Sequence, residues 1–366
     1  MLGISNYQTS TRSRVEQNTG LSKAEIDGLR GLVGENLPHD HYYGWNANIN
    51  GTIIQLVTNN FHLMDFWMES WYPAPATGIS PHGTIYAITD VPNHKPFCYY
   101  SSEAKTAVLV NTDYYGQCKS WALGIVADVM EMGHNVHSIH AAVVDIGGCG
   151  VAIIGPTGAG KSTLSYGLAL TVPYARIHSD DWAYLEYVGE EGQGRTIAHT
   201  SERKSYLRTD IATSFPHLAE LFNRCKLENV GQSYTDIPNS RAILDPLWVG
   251  GTASCVAITR IQVVLLLRRD AHSLPIEKLD TEQAIDILRK GEYMDDGKLR
   301  SVPFYNPYLL VKDEVRTRLQ VDFFRHLLLV ADCYVLNTGV QSIEETRSRA
   351  LEVAATSCAL APQRQW

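Results

Sequence analysis

The stretch Gly155-Pro156-Thr157-Gly158-Ala159-Gly160-Lys161-Ser162-Thr163 fits the pattern G-x-x-x-x-G-K-[ST] of a phosphate-binding loop. Glycines at these positions let successive backbone N–H groups turn toward one point. Amides turned this way form a concavity for phosphate oxygens. Lys161 is spaced to reach the β- and γ-phosphates of a nucleotide, and the Ser162 hydroxyl to ligate Mg²⁺ or Mn²⁺. The flanks agree. Gly150-Val151-Ala152-Ile153-Ile154 has the apolar run of a short buried strand, and residues 164–170 read as the helix leaving the loop. A helix starting there directs its N-terminal dipole at the phosphates. A glycine-rich turn between strand and helix can be purely structural, but strand, loop and helix in this order favour phosphate binding.

The 366 residues suffice for one large domain or two smaller ones, and 45% hydrophobic against 19% charged residues is an ordinary globular mix. The formal net charge is −8 and no basic patch stands out, so nucleic acid is not an expected partner. Seven cysteines, odd in number and without C-x-x-C pairing, argue against a disulfide framework and a zinc site. The N-terminal residues lack a hydrophobic signal core. No apolar run approaches the roughly 20 residues needed to span a bilayer. A reduced, cytoplasmic location without membrane contact is the resulting expectation.

Outward from the loop, the pattern alternates between strands and helices. Ser22-Lys23-Ala24-Glu25 has the form of a capping box. Short β-like runs punctuated by proline and glycine fill residues 50–112, and residues 123–132 read as a helix. Residues 137–146 read as one strand, followed by a Gly147-Gly148 turn. Beyond the loop, residues 175–178 read as a strand ending in Ser179-Asp180-Asp181-Trp182. Residues 261–267 carry the strongest buried-strand signal in the chain, 281–290 and 315–330 look helical, and 333–337 and 343–355 give a last strand and a last helix.

Several side chains near the loop could carry chemistry. Asp180 and Asp181 end a strand shortly after it, where acidic residues commonly hold a metal or orient a nucleophile; the structural alternative is a helix cap. His140 lies in the apolar run Ser138-Ile139-His140-Ala141-Ala142, where a lone histidine is more often a satisfied core residue than a ligand. Arg241 could neutralise charge on a moving phosphoryl group, yet by itself it reads as a surface arginine, as do Lys119, Arg203 and Arg208. His39 and His41 read as solvated.

Taken together, these residues resemble the ATP-dependent phosphoenolpyruvate carboxykinases and their relatives, the HPr kinases, over residues 107–355. Ile139-His140-Ala141-Ala142 through the phosphate loop is similar to both families, which place a histidine on the strand before the loop. Ile177-His178-Ser179-Asp180-Asp181-Trp182 resembles the carboxykinase metal motif, whose second aspartate binds Mn²⁺. Asn239-Ser240-Arg241 resembles the family's Asn-Thr-Arg, whose arginine contacts the transferred phosphate. Leu279-Asp280-Thr281-Glu282-Gln283-Ala284 with Lys290-Gly291, and Val335-Leu336-Asn337-Thr338-Gly339 with Thr346-Arg347, are similar to further carboxykinase motifs and favour that side of the pair. Thr112-Asp113-Tyr114-Tyr115-Gly116-Gln117-Cys118-Lys119-Ser120 resembles T-x-Y-x-G-E-x-K-K, whose tyrosine contacts oxaloacetate and whose lysine binds metal. Here Gln117 and Ser120 replace the glutamate and the second lysine.

The resemblance implies an α/β fold with a carboxykinase-like nucleotide-binding core. That core has a mixed twisted sheet and spans residues 107–366, behind an N-terminal β-rich acceptor-side region of residues 1–106. It implies ATP with Mg²⁺ or Mn²⁺ as cofactors. Ser162, Asp181 and His140 would serve the metal, Asp180 the acceptor hydroxyl, and Lys161 and Arg241 the moving phosphoryl group. Tyr114, Lys119 and Arg241 would face the substrate. The N-terminal region is short for a carboxykinase and shows no counterpart of that family's substrate-binding arginine motif. The leading expectation is therefore an ATP-dependent kinase acting on a small molecule, at a hydroxyl. A shortened carboxykinase, an HPr-kinase-like protein serine kinase and a non-catalytic nucleotide-binding regulator remain open.

Overall fold

The structure, a computed structural model, describes residues 5–38, 40–231, 239–295 and 298–358; His39 lies outside them. It is an α/β fold of several mixed sheets in two compact units. The first unit comprises Met1–His134, Glu202–Asp245 and Tyr308–Asp313. The second comprises Asn135–Ser201, Pro246–Pro307 and Glu314–Trp366. The expected boundary at residue 106 falls inside the first unit, at the start of the strand Thr106–Val110. Composition changes little there, so the sequence offered no mark of a unit that leaves and re-enters the chain.

The second unit is organised by the strand Ile258–Arg268. On one side it pairs in parallel with Cys149–Ile154, from Gly150↔Ile261 to Ile154↔Leu266. On the other side its first half takes Arg195–Thr200 antiparallel, and its second half takes Asp332–Asn337 in parallel. Ala141–Ile146 and Ala175–Ser179 extend the sheet beyond Cys149–Ile154, both antiparallel to their neighbours. Parallel strands near the centre must bury both faces, which is why 261–267 reads as a continuous apolar run. Side chains alternate between the faces. Val151, Ile153, Val263, Leu265 and Leu267 join Leu164, Leu168, Ala350 and Val353 in one buried cluster. The helices Lys161–Thr171 and Ile343–Ser357 therefore cover that face.

Residues 137–146 are not one strand. The chain breaks at His140 into Val136–Ile139 and Ala141–Ile146. Val136–Ile139 pairs with Ala183–Val188, away from the strand that Ala141–Ile146 joins. The His140 N–H turns out of the ladder to the Tyr305 carbonyl at 2.6 Å. No glycine or proline marks the break, and both strands are buried at every residue.

The first unit holds a seven-stranded mixed sheet and a four-stranded one. In the larger, Thr106–Val110 is buried at every residue, between Gly83–Ile88 and Phe97–Ser101. The helix Lys23–Asn36 lays Ile26 and Val33 on Val108 and Val110, and the Ser22–Glu25 capping box closes its N-terminus as the sequence predicts. The smaller sheet runs Asn6–Tyr7, Lys226–Glu228, Arg241–Leu244, Ser205–Arg208.

A disulfide joins Cys149 to Cys358 across a sequence separation of 209, correcting the reading of the cysteines as unpaired thiols. Spacing could not show it, because only the packing of the last helix brings its end to the first residue of the loop-bearing strand. Cys98, Cys118, Cys225, Cys255 and Cys333 take no part in a disulfide. A cross-link closing so long a loop contributes about 2–4 kcal/mol, chiefly by restricting the unfolded chain. Reductant is therefore expected to lower the melting temperature of the wild type by several degrees in a calorimetric scan. Cys358→Ser should melt at the reduced value with or without reductant.

Candidate active site

In the second unit the strand Cys149–Ile154 delivers the chain to the loop, and Gly158 and Gly160 turn it with φ of +81° and +102°. Side-chain-bearing residues resist that region; a glycine at each point is what lets the loop wrap back and start the helix Lys161–Thr171 at Gly160. Thr338 braces the loop from outside, its hydroxyl donating to the Ala159 carbonyl at 2.9 Å. Asn337 fixes the neighbouring turn: its amide donates to the Asp270 and Ser273 carbonyls and its oxygen accepts from the Asp270 and Gly339 N–H groups.

Lys161 folds over the loop, its ammonium donating to the carbonyls of Gly155 at 2.8 Å and Pro156 at 3.3 Å. Burial pushes its pKa down to about 8, against the opposing pull of Asp181 and Asp180. The Ser162 hydroxyl donates to Asp180 Oδ2 at 3.3 Å, and His140 Nε2 lies 3.0 Å from Asp181 Oδ1. The structure thus brings together Lys161, Ser162, Asp180, Asp181 and His140. The serine meets the first aspartate of the pair, and the histidine meets the second. His140 reaches its position because the strand breaks there.

The donors suit a hard divalent cation: a hydroxyl, two carboxylates and one imidazole. Among the described residues no group of three or more His, Cys, Asp or Glu side chains is close enough to enclose a metal.

A cavity of about 560 Å³ adjoins the loop in the same unit, bordered by residues 156–159, the strand end at Leu266–Asp270, and the helix Thr281–Lys290 with the segments following it.

Tyr114, Lys119 and Arg241 belong to the first unit, where they gather round Tyr206. The Lys119 ammonium and the Arg241 guanidinium each lie 5.5 Å from the centre of its ring. Lys119 is almost fully buried and paired with Glu202 at 2.8 Å. Strand register sets Glu228, Arg241 and Arg208 side by side. Arginines facing each other across a ladder repel; Asp210 takes up the Arg208 charge. Glu228 is wholly buried. It accepts from the Tyr206 hydroxyl and from the Tyr115 N–H, and lies 3.3 Å from His62. Burial pushes Glu228 up to about 7, partly offset by those hydrogen bonds and by Arg241. Burial likewise pushes His62 down to about 4, so the two do not form an ion pair at neutral pH.

Sequence reading missed Glu202, Tyr206 and Glu228, because buried polar partners scattered over three segments carry no spacing signal. It also passed over Arg12, whose carbonyl accepts from the Asn239 amide at 2.6 Å. The strap before it is tied down by Asp113, which accepts from the Ser10 and Thr11 N–H groups.

In comparisons with known proteins, no family model and no curated protein matches this chain.

Between about pH 4.5 and 7, folded Glu228 keeps a proton that the unfolded chain has released, so its own contribution to stability falls as pH rises through that window. The buried His62, His137 and His178, each pushed down to about 4, contribute the opposite slope below about pH 6.5. Urea midpoints measured from pH 5 to 8 should therefore show a wild-type minus Glu228→Gln difference that declines as pH rises.

Proposed function

We propose that this chain is an ATP- and divalent-metal-dependent phosphotransferase with a carboxykinase-like nucleotide-binding core, acting on a small molecule that offers a hydroxyl. The observation that carries this reading is the convergence of Lys161, Ser162, Asp180, Asp181 and His140 at one strand end beside a glycine-turned loop. A pure nucleotide binder has no need of two carboxylates there.

Phosphoryl transfer depends mainly on positioning and charge stabilisation. The loop amides and Lys161 hold the β- and γ-phosphates; Lys161 leaves the Gly155 and Pro156 carbonyls for the polyphosphate. Ser162 and Asp181, with His140 behind Asp181, would hold Mg²⁺ or Mn²⁺, which supplies charge neutralisation at the phosphates. Asp180 orients the acceptor hydroxyl and takes its proton. Tyr114, Lys119 and Arg241 of the first unit are the further residues that the resemblance implies for the substrate, with Lys119 paired to Glu202.

The reading is tested by ATP turnover with Mg²⁺ or Mn²⁺ against a panel of hydroxyl-bearing metabolites plus oxaloacetate, followed by mass spectrometry for a gain of phosphate. A phosphorylated metabolite supports it. Phosphoenolpyruvate from oxaloacetate would replace it with a shortened carboxykinase. Nucleotide binding without any product would turn it toward a protein acceptor or a regulator.

Asp180→Asn is expected to keep ATP affinity and lose about 10²–10⁴-fold in turnover, as removal of a general base does; equal turnover would take Asp180 out of the mechanism. Lys161→Ala should weaken ATP binding at least about tenfold, the worth of a charge-assisted hydrogen bond. Because Lys161 titrates near 8 without ligand, a bound polyphosphate must raise its pKa. Calorimetry above pH 8, in buffers of different ionisation enthalpy, should then show proton uptake on ATP binding that Lys161→Ala abolishes.

A further inference from the structure

We infer that Thr338 is a positioning residue for the phosphates: its hydroxyl holds the peptide between Ala159 and Gly160 in the orientation that turns the Gly160 N–H into the phosphate loop. The inference rests on the phosphate-loop reading above and names the side chain that keeps the loop in its binding shape.

Three successive peptide planes carry the chain round the turn, and each is held by a different partner. In the first, the Ala159 N–H donates to the Pro156 carbonyl at 3.3 Å, and Arg269 donates to the Gly158 carbonyl at 3.4 Å. In the third, the Gly160 carbonyl accepts from the Leu164 N–H at 2.9 Å, a bond of the helix that follows. The plane between them joins Ala159 to Gly160. Turning a rigid peptide plane over changes only ψ of the residue before it and φ of the residue after it. Here the residue after it is Gly160, with φ of +102°. Glycine takes positive and negative φ about equally well. The residue that lets the loop turn therefore also lets this plane turn over.

The Thr338 hydroxyl supplies the restraint. Its single hydrogen goes to the nearer of two carbonyls, Ala159 at 2.9 Å rather than Arg268 at 3.3 Å. In a trans peptide the C=O and N–H point to opposite sides. An Ala159 carbonyl drawn toward Thr338 thus aims the Gly160 N–H away from it. Gly160 is left-handed and Lys161 begins a right-handed helix. That pair of conformations converges successive N–H groups into an anion-binding nest. With the plane turned over, a carbonyl oxygen would replace the N–H and repel a phosphate.

Thr338 is anchored independently of the loop. Its N–H donates to the Arg268 carbonyl at 2.8 Å, and the N–H of the fully buried Asn337 donates to the Pro275 carbonyl at 2.9 Å. The hydroxyl projects from the end of the strand Asp332–Asn337, so the sheet sets its place. Support of the strand end itself falls to these backbone bonds, which do not need the hydroxyl. Removing the hydroxyl alone separates the two roles.

The test measures binding of tripolyphosphate and of ATP, each with Mg²⁺, by titration calorimetry on the full chain, and follows the Gly160 amide by NMR. Ala159-Gly160 is the one Ala-Gly pair in the sequence, so carbonyl-¹³C alanine with ¹⁵N-glycine selects that amide alone. Its proton is expected to move downfield when tripolyphosphate binds the wild type. Thr338→Val, of similar shape without the hydroxyl, should weaken both ligands by the same factor of about five, the worth of one hydrogen bond, and remove most of the shift. Thr338→Ser should stay within about twofold of the wild type and keep the shift. Wild-type binding that leaves the Gly160 amide unmoved, unchanged affinity in Thr338→Val, or equal losses in the valine and serine variants would overturn the role of the hydroxyl and leave the phosphate loop standing. If Thr338→Val does not fold, the wild-type shift and the serine variant decide. If neither ligand binds the wild type, the phosphate-loop reading falls and the role of Thr338 falls with it.

Discussion

The parallel pairing of Cys149–Ile154 with Ile258–Arg268 is the constraint on which the second unit depends. It fixes where the loop leaves the sheet, and it sets the strand that carries residues 266–270 alongside. The glycine-turned loop and residues 268–270 both hang from the C-terminal ends of these two strands. The same long strand changes partners halfway, giving its first half to Arg195–Thr200 and its second to Asp332–Asn337. Asp332–Asn337 in turn delivers Asn337 and Thr338 to the loop and its neighbouring turn, so the support of the site follows directly from the fork in the sheet.

The site also carries an electrostatic tension. A nearly buried lysine lies near a carboxylate pair, and burial lowers the lysine's pKa while the acids raise it. The lysine's ammonium donates to the loop's own carbonyls. The first unit handles buried charge differently: Lys119 has Glu202, Glu228 has a phenol and a backbone amide, and the cations sit over an aromatic ring.

Much of this was legible in the sequence, for physical reasons. The loop needs glycine where φ is positive, buried parallel strands need unbroken apolar runs, and capping boxes need a hydroxyl and a carboxylate three residues apart. Ser22–Glu25 and the helix Thr281–Lys290 accordingly lie where the sequence predicts. The break at His140 was not legible, because no glycine or proline marks it. The Cys149–Cys358 bridge, the Tyr206 cluster and the strap at Arg12 depend on contacts between distant segments. The resemblance to carboxykinases singled out Tyr114, Lys119 and Arg241 but not the groups that hold them.

The first unit is assembled from three pieces of chain, and this has a consequence for how the protein is made. Asn6–Tyr7 pairs with Lys226–Glu228, and the unit is completed only by Tyr308–Asp313. At ribosomal rates of about 5–20 residues per second, the first strand waits on the order of ten to forty seconds for its partner to be synthesised. During that interval the second unit's phosphate-loop strand has emerged but its long neighbour has not. In chain order the first unit is complete at Asp313, before the second receives Glu314–Trp366, and shortening the chain from its C-terminal side reaches the first unit only once that last piece is gone.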